Sequence, residues 1–101
     1  MIFKIEFRKE ALNDLLDTIN WYEKQVPGLG DEFYIAFSNE IRTIRHNPLI
    51  FAPKYRGIRK AITKRFPYII YFIVKPPEKV IVIAVLHMKR GPIAIKKRIN
   101  K

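Results

Sequence analysis

The residues best placed to do chemistry are gathered in AVLHMKRGP, residues 84–92, where an apolar run reaches His87, then Lys89 and Arg90, then Gly91-Pro92. A metal-independent ribonuclease needs a proton acceptor, a proton donor and cations around a developing phosphorane. His87 beside Lys89 and Arg90, with Arg59 and Arg65 earlier in the same half, could supply these, which makes His87 the one candidate catalytic residue. The plainer reading makes His87 the end of a strand, its ring half buried and the cations in solvent. Other chemistries lack their parts. There is no cysteine, and the second histidine, His46, stands at no metal-ligand spacing from the first, so no metal is expected. Ser38, the only serine, sits in a helical pattern with no nucleophile elbow around it. Gly28-Leu29-Gly30 follows a helical pattern rather than a strand, so it is a turn and not a phosphate cradle. No cofactor is expected.

Charge points to a partner. The 101 residues carry a formal +11, unevenly spread. Residues 1–51 hold 6 Lys/Arg against 8 Asp/Glu, whereas residues 52–101 hold 14 Lys/Arg and one acid, Glu78. The second half therefore has a net charge of +13. Such an excess repels itself in a compact state and suits an acidic or polyanionic partner. The length is that of one domain, residues 1–101. The longest apolar runs, Tyr68–Val74 and Val80–Leu86, fall far short of the roughly 20 residues of a membrane helix. With no cysteine and no signal-peptide pattern, a cytoplasmic location is expected.

The elements that must position these residues follow from periodicity. IFKIEF, residues 2–7, alternates apolar and charged residues as a half-buried strand does. Leu12, Leu15, Ile19, Tyr22 and Val26 step by three and four, which predicts a helix from Lys9 to Val26. Pro27-Gly28 stops it. Phe33, Phe37, Ile41 and Ile44 predict a second helix over residues 31–46, with Asp31 and Glu32 favoured by the dipole in its first turn and Asn47-Pro48 at its end. The two helices form an antiparallel hairpin. Residues 57–64 read as a weak strand, and Tyr68–Lys75 and Val80–His87 as strong strands paired across a short Pro-Pro loop. Pro92 opens a short basic tail helix. The fold class is α+β: an N-terminal strand and a helical hairpin on a small antiparallel sheet, with a short basic C-terminal tail.

The two strong strands are apolar at nearly every position, so both sheet faces need cover. The hairpin covers one. Part of the other is expected to lie open, and open apolar faces mark partner sites.

Three segments resemble a known family in order along the chain. WYEKQVPGLGDEF (21–33) is similar to the helix-turn-helix signature of the RelE/ParE superfamily of type II toxin–antitoxin toxins. RFPYIIYF (65–72) resembles its Arg-Phe-Pro-Tyr strand. AVLHMKR (84–90), with Pro92 and Arg98, resembles its terminal strand and tail. The resemblance is closest to the ParE-like (plasmid stabilisation) branch and implies a toxin that inhibits DNA gyrase by binding, neutralised by a cognate antitoxin in a hetero-oligomer. That antitoxin is expected to be acidic and partly disordered. The candidate target surface is Arg59, Arg65, Lys89, Arg90 and Arg98. The candidate antitoxin surface and edge are Ile2, Ile5, Tyr71, Ile73, Ile81 and Ile83. The RelE-like branch implies a ribosome-dependent endoribonuclease acting on mRNA, with His87, Arg59, Arg65 and Arg90 as partial counterparts of its site. A non-catalytic nucleic-acid-binding module is the third reading. Against it, the first helix carries Glu10, Asp14, Asp17 and Glu23, which phosphate would repel, so binding would use the sheet edge and tail.

Overall fold

The computed structural model describes residues 2–100. The chain runs β1 (Lys4–Phe7), α1 (Lys9–Gln25), α2 (Leu29–His46), a 3₁₀ turn (Pro48–Ile50), β2 (Pro53–Tyr55), β3 (Ile58–Ile62), β4 (Tyr68–Lys75), β5 (Lys79–His87) and α3 (Gly91–Ile99). The five strands form one sheet in the order β1-β5-β4-β3-β2. β5, β4 and β3 pair antiparallel, as expected, and β2 pairs antiparallel with β3. β1 departs from that pattern and runs parallel to β5, with Ile5 opposite Val80 and Phe7 opposite Val82. The three-residue edge strand β2 is an addition to the sequence reading. It is too short to show a period, and it begins at a proline, which an edge tolerates.

The helical hairpin packs on one sheet face, and its turn shows why the sequence folds this way. Gly28 takes φ +90°, where a side chain would be strained. The Glu23 carboxylate then accepts the backbone N–H groups of Gly28 and Gly30 at 2.8 and 3.0 Å, capping the start of α2. Gly30 also lies against α1, where an added Cβ would stand 2.7 Å from the Ile19 carbonyl oxygen. The buried face of α1 is Ala11, Leu15, Thr18 and Tyr22, so the helix is rotated from the Leu12-to-Val26 stripe that periodicity picks out. Ala11 and Thr18 are small enough to let α1 approach the sheet, and Thr18 Oγ1 is satisfied by donating to the Asp14 carbonyl at 2.8 Å. Leu12 and Val26 stay largely exposed. In α2, Phe33, Phe37 and Ile44 are buried as expected, with Ile41 partly so. Tyr22, Phe33, Phe66 and Tyr68 form an aromatic cluster between hairpin and sheet, with centroids 4.9–5.9 Å apart.

The second face is less open than the sequence suggests. α3 folds back and lays Ile95 and Ile99 on Ile58, Ile69, Tyr71, Ile83, Ala84 and Leu86. Tyr71 and Ile83 are consequently buried, while Ile73 and Ile81 are half-buried at its margin. A nine-residue helix suffices because of an irregularity in β5. Tyr71 pairs with Ala84 but Phe72 pairs with Val82, so Ile83 is an extra residue, and Ile83 and Ala84 both belong to the α3 side.

Candidate functional site

His87 ends β5 directly opposite Tyr68, whose ring meets the imidazole edge-on at a centroid distance of 5.3 Å. The residue is half-buried. Its Nδ1 accepts the backbone N–H of Lys89 at 3.0 Å, which places the proton of the neutral ring on Nε2. The His87 carbonyl accepts the N–H of Arg90, and Met88 N–H bonds the Pro67 carbonyl. These bonds fix the loop that presents Lys89 and Arg90 to solvent just before α3. Among the described residues, no carboxylate or hydroxyl hydrogen-bonds to His87. Glu78, the acid of the basic half, precedes the opposite end of β5, roughly 30 Å away at about 3.3 Å per residue.

The other candidate cations are not brought into one cluster with these. Arg98 points inward and pairs with Asp14 through two bonds of 2.6 and 3.1 Å, and it also donates to the Ile83 carbonyl at 3.0 Å. The hydrogen bond to Asp14, and that carboxylate's charge, push its already high pKa further up, against the opposing effect of burial. Arg59 donates to the Phe51 carbonyl, fastening the 3₁₀ turn to β3, and its Nε is buried without a partner among the described residues. Arg65, at φ +72°, pairs with Glu32 of α2 at 2.9 Å and lies over the Phe66 ring. The loop beneath it is held by buried Thr63, whose Oγ1 donates to the Phe66 carbonyl at 2.8 Å. Of the five cations the sequence suggests, Lys89 and Arg90 are exposed and without a carboxylate partner among the described residues.

The structure supplies others in their place. Lys97 joins Lys89, Arg90, Ile93 and Ala94 around an open cleft of about 400 Å³. Lys96 and Arg56 both stand over the Tyr55 ring, at 5.4 and 5.5 Å. Sequence reading passes over these three because the tail's register relative to the sheet is set by Ile95 and Ile99, not by charge. Asp14 was legible only as a helix acid; its role depends on a contact with residue 98.

The candidate apolar residues also separate. Ile5 faces the hairpin core and Ile2 is exposed beyond the edge strand, whereas Ile73 and Ile81 belong to the α3 face. β1 is the open edge of the sheet on that side. Among the described residues no helix is long and apolar enough to cross a membrane.

The order of elements is that of known proteins. A family model described as ParE toxin of type II toxin-antitoxin system, parDE, matches residues 5–92, from the edge strand to the first turn of α3. Among solved structures, the chain is similar to one from the chromosomal ParDE TA system from P. aeruginosa, with a TM-score of 0.74 over 85% of this chain and 96% of that one. At 16% identity that likeness is one of fold. No curated protein matches. Strand, capped hairpin, Arg-Phe-Pro-Tyr loop and His-Met-Lys-Arg strand end all fall within the matched span, and the chain belongs to the ParE toxins of type II toxin–antitoxin systems.

Proposed function

We propose that this toxin acts by binding DNA gyrase, through the basic surface at Lys89 and Arg90, and that it catalyses no reaction. The observation that carries the reading is the environment of His87. Its Nδ1 is taken by a backbone N–H, and no carboxylate hydrogen-bonds to it among the described residues. A metal-free ribonuclease divides its work between a base and an acid near the scissile phosphate. Here one half-buried imidazole stands alone among cations, which is the equipment for binding an anionic surface rather than for proton transfer. Membership of the ParE toxins supports gyrase as the target. The cell compartment is then the cytoplasm, where gyrase works.

A cognate antitoxin neutralises it. The half-buried Ile73 and Ile81, the exposed Ile2 and the open edge at β1 suit an acidic segment that adds a strand and lays apolar side chains beside α3. Charge attraction speeds the encounter and apolar burial holds the complex.

The test is a supercoiling assay with purified gyrase, run beside a ribosomal translation system programmed with a defined mRNA. Inhibition of supercoiling with intact transcripts is expected. Cut transcripts with supercoiling unaffected would replace this reading with the endoribonuclease one.

A further inference from the structure

We propose that the outward face of α3, with the loop before it and the β2–β3 turn, binds the phosphate backbone of double-stranded DNA. The biological setting rests on the gyrase reading, since gyrase holds duplex DNA as it works. The surface itself is a property of this chain.

Five cations make the surface: Arg56, Lys89, Arg90, Lys96 and Lys97. Their direction is set by what α3 buries. Gly91 and Ile95 are buried, Ile99 packs beside them, and Arg98 is tied to Asp14. On a helix of 3.6 residues per turn this forces residues 93, 96 and 97 outward. Lys97 thereby joins Lys89 and Arg90 around the cleft of about 400 Å³. Lys96 and Arg56 hold a second cationic point, both standing over the Tyr55 ring.

None of the five makes an ion pair or a side-chain hydrogen bond to protein among the described residues. That contrasts with Arg65, Lys79 and Arg98, which each have a carboxylate. Lys96 and Lys97 also lie beyond the span that the family model matches.

The chemistry favours duplex phosphate over the alternatives. An acidic amphipathic segment needs a continuous row of apolar pockets to receive its anchors. Here the exposed apolar residues are Ile93 and Met88, with cations between and around them. A single strand needs open aromatic platforms for its bases. Tyr55 is half-buried, and cations already stand over its ring. What remains is a set of long, separated, unpaired cations, which suits phosphates spaced along a backbone.

The experiment measures binding of a fluorescent 20-bp duplex to the purified full chain across a salt series. Five phosphate contacts predict a log–log salt slope of about −4.5. The triple variant Lys89→Glu, Arg90→Glu, Lys97→Glu should lose at least tenfold in affinity at constant salt. A charge-matched control, Lys9→Glu, Lys24→Glu, Arg42→Glu on the exposed side of the hairpin, should lose less than threefold. Melting curves establish that both variants are folded. Equal loss in the two variants would reduce the effect to net charge and overturn the proposal. So would a wild-type chain that ignores duplex at 50 mM salt, or that binds polyglutamate more tightly than duplex. Duplex binding without inhibition of supercoiling would keep this surface and sink the gyrase reading, and inhibition without duplex binding would do the reverse.

Discussion

Asp14 of α1 and Arg98 of α3 meet across the open edge of β5. β1 pairs with β5 as far as Val82, whose carbonyl takes the Arg8 N–H, and then the chain turns away into α1. Past that point β5 has no neighbouring strand on this side. Asp14 Oδ2 accepts the Val85 N–H at 3.0 Å, Arg98 donates to the Ile83 carbonyl at 3.0 Å, and the two side chains pair with each other. An ion pair thus completes a sheet edge and joins two helices that lie on opposite faces. Both side chains are mostly buried, at 22% and 15% exposure, so the pair is only weakly screened by solvent.

Asp14→Ala should therefore cost about 2–3 kcal/mol, below the roughly 3–5 kcal/mol of a fully buried broken pair. It leaves a mostly buried guanidinium unpaired and the Val85 N–H without its acceptor. For a domain of this size that is a fall in Tm of about 10–20 °C. A double-mutant cycle with Arg98→Met should return a coupling above 1 kcal/mol. Additive losses would mean that the pair does not act as a unit.

Tyr71 and Gly91 make a second, opposite case. The Tyr71 hydroxyl is buried without a hydrogen-bond partner among the described residues, and it lies where a Cβ added at Gly91 would collide with it. Burial pushes its pKa up. Gly91→Ala should destabilise by about 1–3 kcal/mol through overpacking. Tyr71→Phe should be neutral or stabilising, because it removes a desolvated hydroxyl that gains nothing. Combining them should recover part of the alanine's cost, though the ring carbon Cζ would still stand 3.1 Å from the new methyl. Chemical denaturation of the three variants checks this.

Glu40 gives a pH dependence. It lines a cavity of about 380 Å³ between α2 and the loop at Lys64 and Arg65. Desolvation raises its pKa above the ordinary 4.5, more than the Lys64 charge lowers it. Between those two values the folded state holds more proton than the unfolded one, so this group's contribution to stability declines as pH rises through that window. Glu40→Gln should flatten that slope and leave the protein at least as stable at neutral pH. Melts between pH 4 and 7 in wild type and variant would reveal an unchanged slope if another group is responsible.

For His87, replacement by Gln keeps a polar end on β5 and removes the imidazole. Inhibition of gyrase should change less than threefold. A general acid or base would instead lose roughly 10²–10⁴-fold. A loss of that size with an unchanged Tm would restore the catalytic reading.

The helical hairpin was the most legible part of the fold, because its signals are local. Phe33, Phe37 and Ile44 mark a face by spacing, and Pro27-Gly28 marks a turn. Glu23 could be seen in its motif, but its service to two N–H groups follows only from the folded turn. Strands β4 and β5 announced themselves by composition. β2 and the parallel seat of β1 did not, since a three-residue strand has no period and pairing direction is a long-range property. The site was less legible. Lys89 and Arg90 stand exposed near His87, yet Arg59 and Arg98 turned inward to satisfy carbonyls and a carboxylate. A cation's solvent exposure depends on which backbone acceptors the fold leaves open, and the sequence does not record those acceptors.

The parallel pairing of β1 with β5 has a consequence for the order of assembly. Residues 4–7 find their strand partner in residues 79–82, and Asp14 finds its own at residue 98. The hairpin between them can close early, since its contacts are near neighbours in sequence. The sheet edge cannot close until residues 79–98 have been made, because the loops it closes are long. During synthesis, a ribosome-bound chain still lacking α3 would hold the helices but not the cationic face that α3 carries. The cationic face proposed to bind duplex DNA thus forms after the hairpin, not with it.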